Sequence, residues 1–232
     1  MSILERPFML VSFQTRYPDK EYARHAQCCR NVPSQKEPAK RKAGADMTQD
    51  SIDIRWHGRG GQGAITAAKI VAKAMFASGY PGVAMVPTFG TERRGAPVFT
   101  SLKISKEKIY DLSPIESPDI VVVLDHVLLE ESNITSGLKE GGIIVVNSPC
   151  SIDAYHYDRY RVAICDVTSL SVKAGLPEGM VNSGIIGAFA RASGIVDMDL
   201  LVDEIKEEFA QRRPELNANA ARLAYEHTLM GG

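Results

Sequence analysis

Four glycines fall within six positions of this chain, at 58, 60, 61 and 63, in the run IRWHGRGGQGAITAAK from Ile54 to Lys69. What flanks them constrains the fold more than anything else in the sequence. The residues before them alternate, as a half-buried strand does, and an Ala-rich run at helical spacing follows. The order strand, glycine loop, helix lets backbone N–H groups converge at a helix N-terminus, where the peptide dipoles also favour negative charge. A second loop, FGTERRGAP at 89–97, sets Arg93 and Arg94 between Gly90 and Gly95. An arginine can hold a phosphate or carboxylate through two parallel N–H bonds. The two loops read either as halves of a clasp around a phosphorylated ligand or as parts of a subunit interface.

Downstream, strand and helix patterns alternate. VAMVP and GAPVFTSLKIS read as strands, with KEKIYDLSPI as a possible hairpin partner of the second. DIVVVLD and GGIIVVNS are continuous apolar runs, typical of strands buried on both faces, and RYRVAICDV is a further strand. Helices are expected over AITAAKIVAKAMFASG, closing at Gly79, and over HVLLEESNITSGL, TSLSVKAGLP, VNSGIIGAFARASG, DMDLLVDEIKEEFA and ELNANAARLAYEHTLM. Asp197 or Asp199 is placed to cap the fifth of these, and Asn182 and Ser183 to cap the fourth or face a ligand. The pattern predicts a single three-layer α/β domain with a mostly parallel or mixed central sheet flanked by helices.

Residues 1–46 differ from the rest. They carry 9 basic and 5 acidic side chains, leaving 18 basic and 23 acidic for the remainder, and lack sustained hydrophobic periodicity. They read as a flexible or non-native N-terminal extension, with Met47 as a candidate natural start and 47–232 as the domain. A genuine basic tail is the alternative. A net charge of −1 gives no global electrostatic case for nucleic acid or a membrane surface. No apolar run approaches the roughly 20 residues that span a bilayer. The four cysteines, Cys28, Cys29, Cys150 and Cys165, have no metal- or cluster-binding spacing, and a reducing cytoplasm suits them.

Gly58, Gly60 and Gly63 satisfy G-x-G-x-x-G in the strand–helix context of a dinucleotide fold. That reading needs an acidic residue at the end of the second strand to hold ribose hydroxyls. VAMVPTFG supplies none, and no Gly-Lys-Ser/Thr follows for a Walker loop. Glycines serving close helix–sheet packing alone, an Arg pair solvated or bonded to Glu92, and a satisfied strand-end His57 are the plainer alternatives.

The segments HGRGGQGAITAAKI (57–70), FGTERRGAPV (89–98), SPDIVVVLD (117–125) and VNSGIIGAFARASG (181–194) closely resemble the gamma subunit of 2-oxoacid:ferredoxin oxidoreductases, of the pyruvate synthase and ketoisovalerate type. The resemblance covers about residues 51–230. It implies a multi-subunit enzyme that decarboxylates a 2-oxoacid, pyruvate first among candidates, and delivers acyl-CoA, CO2 and reduced ferredoxin. Thiamine diphosphate, magnesium and iron–sulfur clusters are expected on partner subunits of alpha, beta and delta type, and coenzyme A is a shared substrate. The present chain then assists assembly and coenzyme A binding, carries no catalytic residue or metal, and is inactive alone. The candidate coenzyme A or interface residues are Gly58, Arg59, Gly60, Gly61, Gln62, Gly63, Arg93 and Arg94. A stand-alone dinucleotide-binding protein and a purely structural subunit are the competing classes. The resemblance implies no nucleic-acid or membrane partner.

Overall fold

In the computed structural model, residues 51–88, 95–131 and 133–231 are described; the extension 1–46 and the Arg93–Arg94 pair lie outside them. The strands are β1 (Ser51–Arg59), β2 (Gly82–Thr88), β3 (Pro97–Ser105), β4 (Ile120–Val123), β5 (Ile143–Asn147), β6 (Arg161–Cys165) and β7 (Leu229–Gly231). They form one sheet in the order β2-β3-β1-β4-β5-β6-β7. The block β1-β4-β5-β6 is parallel, while β3 runs antiparallel to both β1 and β2, and β7 antiparallel to β6. The sheet is therefore mixed.

Helices are α1 (Ala64–Ala77), α2 (Leu128–Glu131), α3 (Val167–Lys173), α4 (Asn182–Ser193), α5 (Met198–Glu208) and α6 (Pro214–His227). Their distribution is unequal. Ile52, Ile54 and Trp56 of β1, with Leu102 and Ile104 of β3, point to one face and share a core with α1, α4, α5 and α6. On the other face, Val121, Val123, Ile144 and Val146 pack with Leu128, Ile134 and Leu138, so short α2 and irregular chain form that layer. The continuous apolar runs of β4 and β5 follow from this: every residue in them is buried, because both faces are covered.

Three expectations are corrected. KEKIYDLSPI forms no hairpin with β3, because β1 and β2 already occupy both edges of that strand. The segment instead crosses the sheet face, held by Lys103 Nζ to Asp111 Oδ2 at 2.8 Å and by the Ile115 N–H donating to Ser101 Oγ at 3.2 Å. The helix expected over HVLLEESNITSGL is only Leu128–Glu131. The chain beyond supplies the Ile134 and Ser136 carbonyls to the Arg55 guanidinium, each at 2.7 Å. The final helix stops at His227, and Leu229–Gly231 pairs with β6 rather than extending it. Of the proposed caps, Asp197 is the N-cap of α5, accepting the Asp199 and Leu200 N–H groups. At α4 the N-cap is Val181, so neither Asn182 nor Ser183 acts from that position.

Helix α4 is buried along almost its whole length, which its small residues permit. A Cβ on Gly187 would lie 1.9 Å from the Ala221 carbonyl oxygen of α6. No flexible side chain can yield there, since the obstacle is backbone. Gly187→Ala is expected to destabilise the protein by about 3 kcal/mol or more. An unfolding free energy from chemical denaturation within about 0.5 kcal/mol of wild type would show that α4 and α6 can separate freely.

Candidate functional site

The glycine loop leaves β1 at the sheet's carboxyl edge. The chain runs from β1 through α1 to β2 on one side, whereas β4 lies on the other, so the loop sits at the switch point where open α/β sheets bind ligands. Gly58 is wedged in this turn: a Cβ there would come within 3.3 Å of Ala64 Cβ and 3.4 Å of Leu124 Cβ. Gly61 (φ 99°) and Gly63 (φ 81°) hold left-handed backbone, which residues with a Cβ rarely adopt. Gln62 closes the loop on itself. Its side-chain oxygen accepts the Arg59 N–H at 2.8 Å, and its own N–H donates to the Arg59 carbonyl at 3.0 Å.

The last residues of the second segment, Gly95 and Ala96, are bonded to the first loop. Gly60 N–H donates to Ala96 O at 2.9 Å, and Gly95 N–H donates to Gly60 O at 3.1 Å. Arg59 reinforces the junction, with Nε 2.7 Å from Asp125 Oδ2 and an Nη1–H donating to Gly95 O at 3.3 Å. The Arg59 guanidinium thus ties together the ends of β1 and β4 and the approach to β3. The residues flanking the arginine pair are therefore bonded to the glycine loop, as the two-loop reading requires; Arg93 and Arg94 themselves are outside the described residues.

Not all loop amides are used in this way. Among the described residues, the N–H groups of Gly61, Gly63 and Ala64 form no hydrogen bond, as expected at a helix start whose N-cap, Gly63, offers no side chain. Gly61 and Gly63 border a cleft of about 630 Å³, lined on the same side by Gln62 and Thr66. Gly179, Met180 and Asn182 at the start of α4, and Glu207 to Arg212 at the end of α5, complete it. The N-termini of α1 and α4 thus open onto one space. Glu207 and Glu208 in this lining are ion-paired with Lys73 and Lys69, at 2.9 Å each.

The geometry also speaks against the nicotinamide reading. In a dinucleotide fold the second strand pairs beside the first and presents its carboxylate to the ribose. Here β3 stands between β1 and β2. Among the described residues no group of three or more His, Cys, Asp or Glu side chains is placed to hold a metal ion, and no helix is long and apolar enough to cross a membrane. Cys165 is a core residue whose thiol burial pushes up to about 12, and Cys150 is half-buried; both are free.

His57 differs from its plainest reading. Its ring stacks on Phe99 with centroids 5.7 Å apart, but its buried Nε2 has no hydrogen-bond partner among the described residues. It lines a small cavity of about 160 Å³ with Pro97, Val98, Phe99, Leu128, Asn133 and Ile134, on the sheet face away from α1. Burial, aided by the nearby Arg55 charge, pushes its pKa down to about 3.

A family model for pyruvate ferredoxin/flavodoxin oxidoreductase matches residues 53–227. The common gamma subunit of pyruvate/ketoisovalerate oxidoreductases from Pyrococcus furiosus is 43% identical over 182 residues, covering 76% of this chain and 97% of that one. Pyruvate synthase subunit PorC of Methanothermobacter marburgensis is 42% identical over 175 residues, covering 75% and 96%. The solved pyruvate oxidoreductase subunit PORC of Thermotoga maritima superposes with a TM-score of 0.69 at 31% identity, covering 79% of this chain and all of that one. A 2-oxoglutarate:ferredoxin oxidoreductase from Magnetococcus marinus, solved with 2-oxoglutarate, coenzyme A and succinyl-CoA bound, shares the fold at a TM-score of 0.61 and 18% identity; the match covers 77% of this chain and 30% of that one. The chain belongs to the pyruvate ferredoxin/flavodoxin oxidoreductase family, as a gamma-type subunit of such a complex.

The half-buried His57, with its ring Nε2 enclosed, makes stability pH-dependent. His57 ordinarily titrates near 6.5 and in the folded chain near 3, so between these values the unfolded state binds the extra proton. Its contribution is complete above about pH 6.5 and declines as pH falls. From pH 7.5 to 5.5 the stability advantage of wild type over His57→Gln is expected to shrink by about 1.4 kcal/mol, measured by urea denaturation at both values. A constant gap would mean that the imidazole is protonated equally in both states.

Proposed function

We propose that this gamma-type subunit forms part of the coenzyme A site of a 2-oxoacid:ferredoxin oxidoreductase, with pyruvate as the 2-oxoacid. The observation that carries the reading is the cleft at the switch point, where unpaired amides of the glycine loop face the same space as the start of a second helix. Coenzyme A carries a diphosphate and a ribose phosphate, and backbone N–H groups at a helix start are complementary to such groups. The coenzyme A bound in the Magnetococcus enzyme, of which 30% is matched by this fold, supports the assignment.

In this reading Gly58, Gly60 and Gln62 shape the loop, Gly61 and Gly63 present amides, and Arg59 keeps the two loops in register. Arg93 and Arg94 then contribute cationic contacts from the adjoining loop. The chain holds neither thiamine diphosphate, magnesium nor iron–sulfur clusters; alpha-, beta- and delta-type subunits carry these, and electrons leave to ferredoxin. The complex works in the cytoplasm, residues 47–232 form the functional domain, and 1–46 are an extension to it. A role in assembly accompanies the ligand role: Tyr110 and Leu112 are 88% and 61% exposed on the irregular segment crossing the sheet, apolar surface suited to a neighbouring subunit.

Replacing Arg93 and Arg94 together by Ala in the assembled oxidoreductase is expected to raise the KM for coenzyme A by about tenfold or more, from the loss of one or two charge-assisted bonds. Steady-state kinetics with coenzyme A as the varied substrate checks this. An unchanged KM with impaired subunit assembly would assign the loops to an interface instead.

A further inference from the structure

Asn182 and Ser183 are neighbours at the start of α4 that face opposite ways. Ser183 is fully buried and its hydroxyl donates to Asn217 Oδ1 of α6 at 2.8 Å. Asn217, also fully buried, donates through Nδ2 to the carbonyls of Arg212 at 3.0 Å and Arg213 at 2.9 Å. Arg213 has left-handed backbone at φ 59°, unusual outside glycine, and these two bonds hold the turn in that shape. The buried Ser183–Asn217 pair thereby fixes where Arg212 stands relative to the start of α4.

Asn182 lies on the cleft side of the same turn. It is only 9% exposed, yet its Nδ2 donates to nothing among the described residues. Its orientation is set, since Oδ1 accepts the Ser183 N–H at 3.1 Å and so directs Nδ2 the other way. That nitrogen would sit 2.9 Å from a Cβ on Gly63, so glycine at 63 is what lets the amide reach the loop. Across the cleft, the exposed Arg212 side chain forms no ion pair among the described residues, whereas the two other charged residues of the lining, Glu207 and Glu208, are paired with lysines. The free donors of this space include one buried carboxamide, one guanidinium and the Gly61 and Gly63 amides.

We propose that Asn182 and Arg212 form a phosphate-binding subsite with the Gly61 and Gly63 amides. Donors without acceptors and a cleft of about 630 Å³ suit a phosphate group of a nucleotide-type cofactor. The inference rests on the coenzyme A reading and extends it to residues outside both sequence loops. The phosphate is the diphosphate or the ribose phosphate of coenzyme A, and the test distinguishes them.

The experiment uses the assembled oxidoreductase turning over pyruvate, with coenzyme A or dephospho-coenzyme A varied. Asn182→Asp keeps the size and the acceptor of Ser183 N–H but replaces the donor with a negative charge; it is expected to raise the KM for coenzyme A by about ten- to a hundredfold. Arg212→Ala is expected to raise it about three- to tenfold and to reduce its dependence on salt. In both variants the KM for pyruvate is expected to stay within about twofold, since no charge is altered at the 2-oxoacid site. If the increases persist with dephospho-coenzyme A, the subsite holds the diphosphate; if they vanish, it holds the ribose phosphate. Should Asn182→Asp prevent assembly, the exposed Arg212 decides. If neither substitution changes the KM for coenzyme A while the Arg93–Arg94 double variant does, the subsite is overturned and the coenzyme A reading stands. No change in any of the three overturns both.

Discussion

The contact between α4 and α6 is the constraint on which the functional surface rests. Gly187 brings α4 against the Ala221 carbonyl, and only at that separation can Ser183 reach Asn217 across the interface. Through Asn217 the contact fixes the turn that follows α5, and through the start of α4 it fixes one wall of the cleft. The cost of burying these polar groups is offset because each finds a partner, and a satisfied buried network has few alternative arrangements. The small residues of α4 are thus a requirement of geometry at the site as well as of packing.

A second constraint acts at the carboxyl edge of β1. The Arg59–Asp125 ion pair and the two backbone bonds between Gly60 and residues 95–96 join three chain segments at the point where strand order reverses. The arginine inside the glycine motif consequently acts as a strut rather than as an open cationic arm. The motif divides its labour: some glycines and the glutamine close the loop, and the remaining amides face the cleft. The motif in this way offers the cleft a wall of backbone donors held in place by its own side-chain and backbone bonds.

Much of the architecture was legible from pattern. The alternation of β1, the apolar runs of β4 and β5, and the Ala-rich amphipathic helices each follow from local periodicity, and the spaced motifs named the family. Elements decided by their neighbours were not legible. KEKIYDLSPI has strand-like residues but no free edge to join, and TLM at the end of α6 looked helical until β6 offered it one. At the site, Gly61 and Gly63 could be singled out because left-handed backbone selects glycine. Arg212 could not, because nothing near it in sequence distinguishes it from Arg213. Its importance comes from a turn held by a side chain of the next helix.

The sequence by itself determined the fold class, the family and the two loops, because strand and helix periods and glycine-dependent turns are properties of short segments. Tertiary structure alone decided that β3 separates β1 from β2, removing the ribose-binding geometry of a dinucleotide fold. It also decided that the Nε2 of half-buried His57 is left without a hydrogen-bond partner among the described residues, and that Asn182 and Arg212 face the same cleft as the glycine loop. These are outcomes of which surfaces remain after the helices have packed, and packing brings together residues separated by more than a hundred positions whose joint chemistry no local pattern encodes.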